Sequence, residues 1–211
     1  MTLLRSLAVF VFALGAATLG VALVLLGRAP GLPEATRHLR AMKDRDDPPA
    51  DVRTLTMADF AHLPPDLSLP RRAALEAHGV RMQGWIQRIV LSADGDLHLE
   101  LVEKPRLPGG RDTAYVVAEI TPPWRRQARA WAYESLLVAF RPNHGGPAAW
   151  EAGPRAVRLT GWLLFDPPYH HPVSTWLQLN GAPRRTGWEI HPVTRIELWD
   201  DAAAAWRELV R

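Results

Sequence analysis

Histidine and carboxylate residues recur near the predicted ends of strands. Asp96 and His98 stand in DGDLHLELV, and Glu119 stands in VVAEITPP. Asp166, His170 and His171 stand in FDPPYHHP, and Glu189 and His191 in WEIHP. Imidazole nitrogen and carboxylate oxygen suit zinc or a harder divalent ion. The same groups serve as a general acid and base. Glu189 and His191 are two apart, so on a strand they share a face unless Pro192 introduces a bulge there. None of the spacings makes a compact metal motif such as HExxH. Each residue also has an ordinary role open to it. His98 can be solvated, Glu189 can pair with an arginine such as Arg185, and His191 can bond to backbone. No cofactor is implied beyond the divalent metal that these groups admit.

The elements that must position these residues are organised around a repeat. Val80–Ile86 reads VRMQGWI and Val157–Leu163 reads VRLTGWL, while a third Gly-Trp pair, Gly187-Trp188, opens GWEIHPVTRIELW. Val80, Met82, Gly84 and Ile86 alternate with Arg81, Gln83, Trp85 and Gln87, as a half-buried strand requires. Glycine inside a strand marks a bulge, a sharp bend or a close backbone approach. Tryptophan on the polar face has two readings. Either a loop or the N-terminal linker covers each ring, or Arg81, Trp85, Arg158, Trp162 and Trp188 form a contact set. Aromatics on a barrel face stack bases or sugars in many modules.

Taken in order, the chain predicts four regions. Residues 1–27 contain Leu7–Leu26, which carries no charge and is long enough to cross a bilayer. It is expected to be an uncleaved anchor, either a transmembrane helix or a retained signal. Residues 28–79 are a Pro-rich linker with short helices, one from Pro33, one capped by Thr56 and one over Pro70–His78 stopped by Gly79. Residues 80–200 hold the main domain. Its strands are expected at Val80–Leu91, Asp96–Val102, Thr113–Ile120, Ala156–Phe165 and Gly187–Trp199. Asp94-Gly95 makes the first hairpin turn. A helix starts at Thr121 and carries Trp124, Ala128 and Trp131, and Leu136–Phe140 fits helix or strand. Residues 201–211 are expected to form a short helix over Ala202–Val210. Three strands, a helix and two strands is the order of an OB-fold. The predicted class is therefore mainly β, a five-stranded OB-like Greek-key barrel with one inserted helix. Another small β-barrel or a split sandwich is the alternative.

The same motifs carry a resemblance. DGDLHLELV, VVAEITPP, VRLTGWLLFD with nearby histidine, and WEIHPVTRIEL resemble the pattern of a family of uncharacterised bacterial exported proteins with an OB-like domain. That pattern runs D-x-H-L, E-x-P, TG…FFD…H and E-L-H-P-V. The resemblance covers about Val80–Leu198, and its most specific piece is Glu189-Ile190-His191-Pro192-Val193. The chain departs by Thr121 between Ile120 and Pro122, by tryptophan after glycine, and by a longer loop around His170. The resemblance marks His98, Glu119, Asp166, His171, Glu189 and His191 as candidate metal ligands and supplies no reaction.

Composition narrows the function classes. The chain has 211 residues, which fits one domain plus extensions. It has no cysteine, which excludes disulfides and thiolate metal sites. A net charge of +3, spread without a clear basic stripe, makes nucleic acid a less favoured partner than a protein or envelope component. The start-proximal apolar segment points to a single pass through a bacterial inner membrane with the domain outside the cytoplasm. Arg28, Arg37, Arg40, Lys43 and Arg45 argue against that orientation under the positive-inside rule. The preferred sequence reading is a membrane-anchored OB-like interaction module without enzymatic activity. The alternatives are a metal-assisted hydrolase using Glu189, His191, His98 and Asp166, and an accessory structural subunit of a membrane complex.

Overall fold

Segments in which apolar and polar residues alternate recur beyond Gly79, and the protein is mainly β with few helices. In the computed structural model, residues 33–105, 110–142, 153–167 and 183–210 are described. The chain divides into two compact units, Met1–Arg37 and His38–Arg211. The first is described only from residue 33; the second carries every described strand and every described candidate site residue. Leu7–Leu26, His170 and His171 lie outside the described residues. Among the described residues no helix is long and apolar enough to cross a membrane.

Helix α1 (Glu34–Lys43), strand β1 (Val52–Thr54), helix α2 (Met57–His62) and helix α3 (Leu69–Glu76) come first. Thr56 caps α2 through a reciprocal box: Asp59 N–H donates to Thr56 Oγ1, and Thr56 N–H donates to the Asp59 carboxylate. Strands β2 (Gly79–Leu91), β3 (Leu97–Val102) and β4 (Tyr115–Ile120) come next. Gly79 therefore opens a strand rather than stopping a helix. After the helical stretch come β5 (Ala156–Phe165), β6 (Arg184–Asp200) and β7 (Ala205–Glu208).

Five strands close a hydrogen-bonded ring in the order β2-β3-β4-β6-β5, with β5 returning to β2. The β4–β6 pair is parallel and the other four are antiparallel. β1 extends β2 in parallel, and β7 pairs antiparallel with β6. The two repeat copies pair directly, Val80 opposite Gly161 and Gly84 opposite Val157. Their glycines are close-approach positions. A Cβ at Gly161 would lie 2.2 Å from the Pro192 carbonyl oxygen, and one at Gly84 would lie 2.4 Å from that of Val102. A register shift between Ile86 and Arg88 resets the phase of β2, so Ile86 and Ile89 are both buried in the core.

Two helical expectations are corrected. The single helix expected from Thr121 is broken into helix α4 (Pro122–Arg126), a 3-10 turn (Arg129–Trp131) and helix α5 (Tyr133–Phe140). Ala128 and Ala132 take extended conformations between the pieces. The breaks let Trp124 and Trp131 both turn inward and stack, with centroids 6.5 Å apart. The helix expected over Ala202–Val210 is a turn followed by β7. The Asp200 carboxylate accepts from the Ala202 and Ala203 amides, and Trp206 meets Trp199 edge to face across the hairpin. Local hydrogen bonding and a cross-strand aromatic pair outweigh the helix preference of the alanine run.

Gly161→Ala drives a methyl into a neighbouring backbone that cannot yield as a flexible side chain would. It is expected to lower stability by about 2–4 kcal/mol. In denaturant titration the midpoint should fall with the slope unchanged; an unaltered midpoint would show that the β5–β6 contact is looser than this.

Candidate metal centre

The strands that place apolar residues inward place charged ones outward. Leu97, Leu99, Ala118, Ile120 and Ile190 belong to the core. Their neighbours His98, Glu119, Glu189 and His191 therefore share the outer face of β3, β4 and β6. The ladder sets His98 opposite Glu119 and Val117 opposite Glu189. Asp96 precedes β3 by one residue and Asp166 lies one residue beyond β5. The β5–β6 ladder is irregular at His191-Pro192, where the Gly161–Leu163 stretch faces Ile190–Val193 with one residue extra, and His191 still turns to the side of Glu189, 3.3 Å from its Oε1.

The contacts are short and buried. His191 Nδ1 lies 3.0 Å from Glu119 Oε2 and 3.3 Å from Glu189 Oε1, and its Nε2 lies 3.9 Å from Asp96 Oδ2. His98 Nδ1 lies 3.2 Å from the other Glu119 oxygen. Two fixed cations complete the cluster. Lys43 Nζ donates to Asp166 Oδ2 at 2.8 Å, and Arg184 Nη2 donates to Glu189 Oε2 at 2.7 Å. His191 is 1% exposed, yet neither ring nitrogen has a hydrogen bond of acceptable geometry, and Glu189 Oε1 has none either. Buried polar atoms in that state call for an explanation, and metal ligation is one.

Burial and charge shape the ionisation of the set. Burial pushes the Asp96 carboxyl up to about 6, with the His191 ring opposing and Glu119 reinforcing. Burial also raises Asp166, reinforced by Glu189 and opposed by Lys43. For Glu119 burial acts upward too, but His191 and His98 outweigh it and hold the carboxyl well below its ordinary range. Burial would lower His191, but Glu119 and Glu189 overcome it and bring the imidazole up to about 10. Burial likewise opposes the Lys43 ammonium, and Glu189, Asp166 and Glu119 raise it nonetheless. The whole cluster favours positive charge at its centre.

One atom each from Asp96, Glu119 and His191 lie within 4.8 Å of one another, a group that could hold a metal ion. Donors sharing an ion at bonds of about 2 Å stand at most about 4 Å apart, so the trio needs only a small closure. Glu189 beside His191 Nδ1 is placed as a carboxylate that orients a ligating imidazole.

The expected contact residues are not gathered in the same way. Trp188 is fully buried against Phe165, and its Nε1 donates to the Pro64 carbonyl. It has no surface to offer a ligand. Trp162 lies under the Arg45 guanidinium at 4.0 Å and donates to the Asp47 carbonyl, so the linker covers it. Trp85 packs against Val102, Tyr115 and Val117. Trp85 pairs with Ala156 and Trp162 with Gly79, at opposite ends of the β2–β5 ladder. Six residues of strand separate them, about 20 Å. Arg81 donates to Thr160 Oγ1, and Arg158 makes two bonds to Glu197 beneath Trp206.

Asp96 was visible as a strand-end carboxylate, two residues from His98 and thus on its face. Lys43 carried no signal, because α1 lies far away in sequence. Arg184 is at odd spacing from Glu189, which alternation would put on the opposite face. The irregularity between the partners of Tyr115 and Val117 brings it back. The chain matches no protein-family model and shows no match to any curated protein.

The electrostatics set two expectations. Asp96 has a raised folded value, so its ionisation opposes folding above about pH 6 and is neutral to folding below its ordinary 3.8. Asp96→Asn should therefore stabilise the metal-free protein by about 1–3 kcal/mol at pH 7, read from urea midpoints in chelator. No gain would mean that the carboxylate is better solvated than its burial indicates. Glu197 behaves oppositely. Its hydrogen bonds from Arg158 outweigh burial and hold it below 4.5. The stability it contributes is present above that value and is lost as pH falls through the folded one. Arg158→Met should thus destabilise at pH 7 and converge with wild type in acid. A pH-independent difference would assign the effect to the lost packing on Trp206.

Proposed function

We propose that the ring is an OB-like Greek-key barrel whose outer face carries a divalent-metal centre. The reaction class we infer is metal-assisted hydrolysis of an ester or phosphoester. The strand order and the β2–β5 closure support the barrel reading. The observation that carries the metal reading is His191: fully buried, without a well-aligned hydrogen bond at either nitrogen, and within reach of the Asp96 and Glu119 carboxylates. Asp96, Glu119 and His191 would hold the ion, and Glu189 would orient His191. A bound divalent ion supplies Lewis acidity and lowers the pKa of a coordinated water. His98 bonds Glu119 and keeps 21% of its side chain exposed, so it can exchange a proton with solvent at the rim of the centre. The hydrolase reading is preferred to the interaction module because the tryptophans do not share an open face, whereas the ionisable residues converge. The apolar segment Leu7–Leu26 would tether this domain to a membrane.

The test is calorimetric titration of the full chain in mild detergent with Zn²⁺ and Mn²⁺. The expected result is saturable binding that Asp96→Ala/His191→Ala abolishes. At a hundredfold excess over Kd, binding should also stabilise the wild type by about 2.7 kcal/mol. A metal-dependent turnover of nitrophenyl phosphate diesters or esters, lost in the same variant, supports the hydrolase. Absence of binding in the folded wild type overturns the proposal.

A further inference from the structure

The four carboxylates gathered around His191 fall into two unlike halves. Asp166 and Glu189 each accept from a fixed cation, Lys43 at 2.8 Å and Arg184 at 2.7 Å. Among the described residues, the side chains of Asp96 and Glu119 pair only with imidazoles, those of His191 and His98. His191, with no well-aligned hydrogen bond at either nitrogen, groups with the second half. We propose that the centre takes one divalent ion per chain, at Asp96, Glu119 and His191, with Lys43 and Arg184 standing as built-in cations where a second ion would otherwise sit. This rests on the metal reading above and specifies it.

Charge balance supports the assignment. One divalent ion offsets Asp96 and Glu119, while Lys43 and Arg184 offset Asp166 and Glu189. A second ion would leave the buried cluster with two surplus positive charges, which a poorly solvated site does not tolerate. Two-ion centres also hold their metals about 3.5–4 Å apart between shared carboxylates. Here Asp166 Oδ2 and Glu189 Oε2 already accept from an ammonium and a guanidinium, the first kept charged by Glu189 and Asp166 and the second permanently charged. Two carboxylates and an imidazole further point to a first-row divalent ion such as manganese or zinc rather than calcium, which prefers an all-oxygen shell.

The experiment loads the full chain with Mn²⁺, counts metal per chain by mass spectrometry, and records the electron paramagnetic resonance spectrum. The wild type should hold one ion and show the six-line signal of an isolated Mn²⁺. Lys43→Gln keeps a hydrogen bond to Asp166 without the charge, and Lys43→Met removes both. Whichever of the two folds should approach two ions and show an exchange-coupled pair, whereas Lys43→Arg should stay at one. Two ions in the wild type, or a single ion in both uncharged variants, would overturn the single-ion assignment while leaving metal binding intact. A wild type that binds no Mn²⁺ and no Zn²⁺ would remove the metal reading beneath it.

Discussion

Removing several carboxylates from water is unfavourable unless positive charge goes with them, and the site side of this protein is organised by that requirement. Asp96, Glu119, Asp166 and Glu189 are gathered beside β3, β4 and β6, and the compensating charge comes from wherever the chain can deliver it. Arg184 comes from the start of β6 and Lys43 from the end of α1. The helix that supplies Lys43 is anchored by another buried acid. Glu76, 1% exposed, accepts from the Phe165 amide at 2.9 Å and meets His38 at 2.5 Å, while Arg45 donates to its carbonyl. The segment that composition marks as a linker is thus part of the electrostatics of the centre.

Tryptophan fastens the peripheral segments to the ring. Four indole N–H groups each donate to a carbonyl distant in sequence: Trp124 to Arg45, Trp162 to Asp47, Trp188 to Pro64 and Trp131 to Leu209. A buried indole needs a partner for its one donor, and here the partners lie in the linker and the C-terminal tail. Trp124, Trp131 and Trp188 also supply apolar area to the core, so docking the peripheral segments and filling the core are largely one act of packing. A high tryptophan content in a modest chain therefore reflects fastening more than ligand stacking.

Much of the ring was legible because alternation and turn chemistry are local. β5 begins and ends where the pattern placed it, and the Asp94-Gly95 turn joins β2 to β3. The convergence of His98, Glu119, Glu189 and His191 results from parity once the strands pair. Parity also ruled on Trp188: a residue adjacent to Glu189 cannot share its face, so grouping it with Trp85 and Trp162 conflicted with the strand it sits in. The repeat was informative for pairing and misleading for function, since antiparallel neighbours send equivalent positions to opposite ends. What stayed illegible depends on irregularity or distance. The bulge at Gln87, the register shift that returns Arg184 to its partner and the reach of Lys43 are tertiary facts with no periodic trace.

Core and centre are two faces of the same strands, and this couples stability to geometry. Leu97 and Leu99 fix the rise and register of β3, and Asp96 and His98 inherit their positions from them. Ala118 and Ile120 do the same for Glu119, and Ile190 does so for Glu189 and His191. A one-residue slip of β6 would expose Ile190 and carry both Glu189 and His191 inward. The apolar faces therefore specify the relative heights of the donors, while the glycine at 161 lets β6 come close enough to hold them. The ion pairs need only neutralise charge, since the placement is already set by packing on the other side of the sheet.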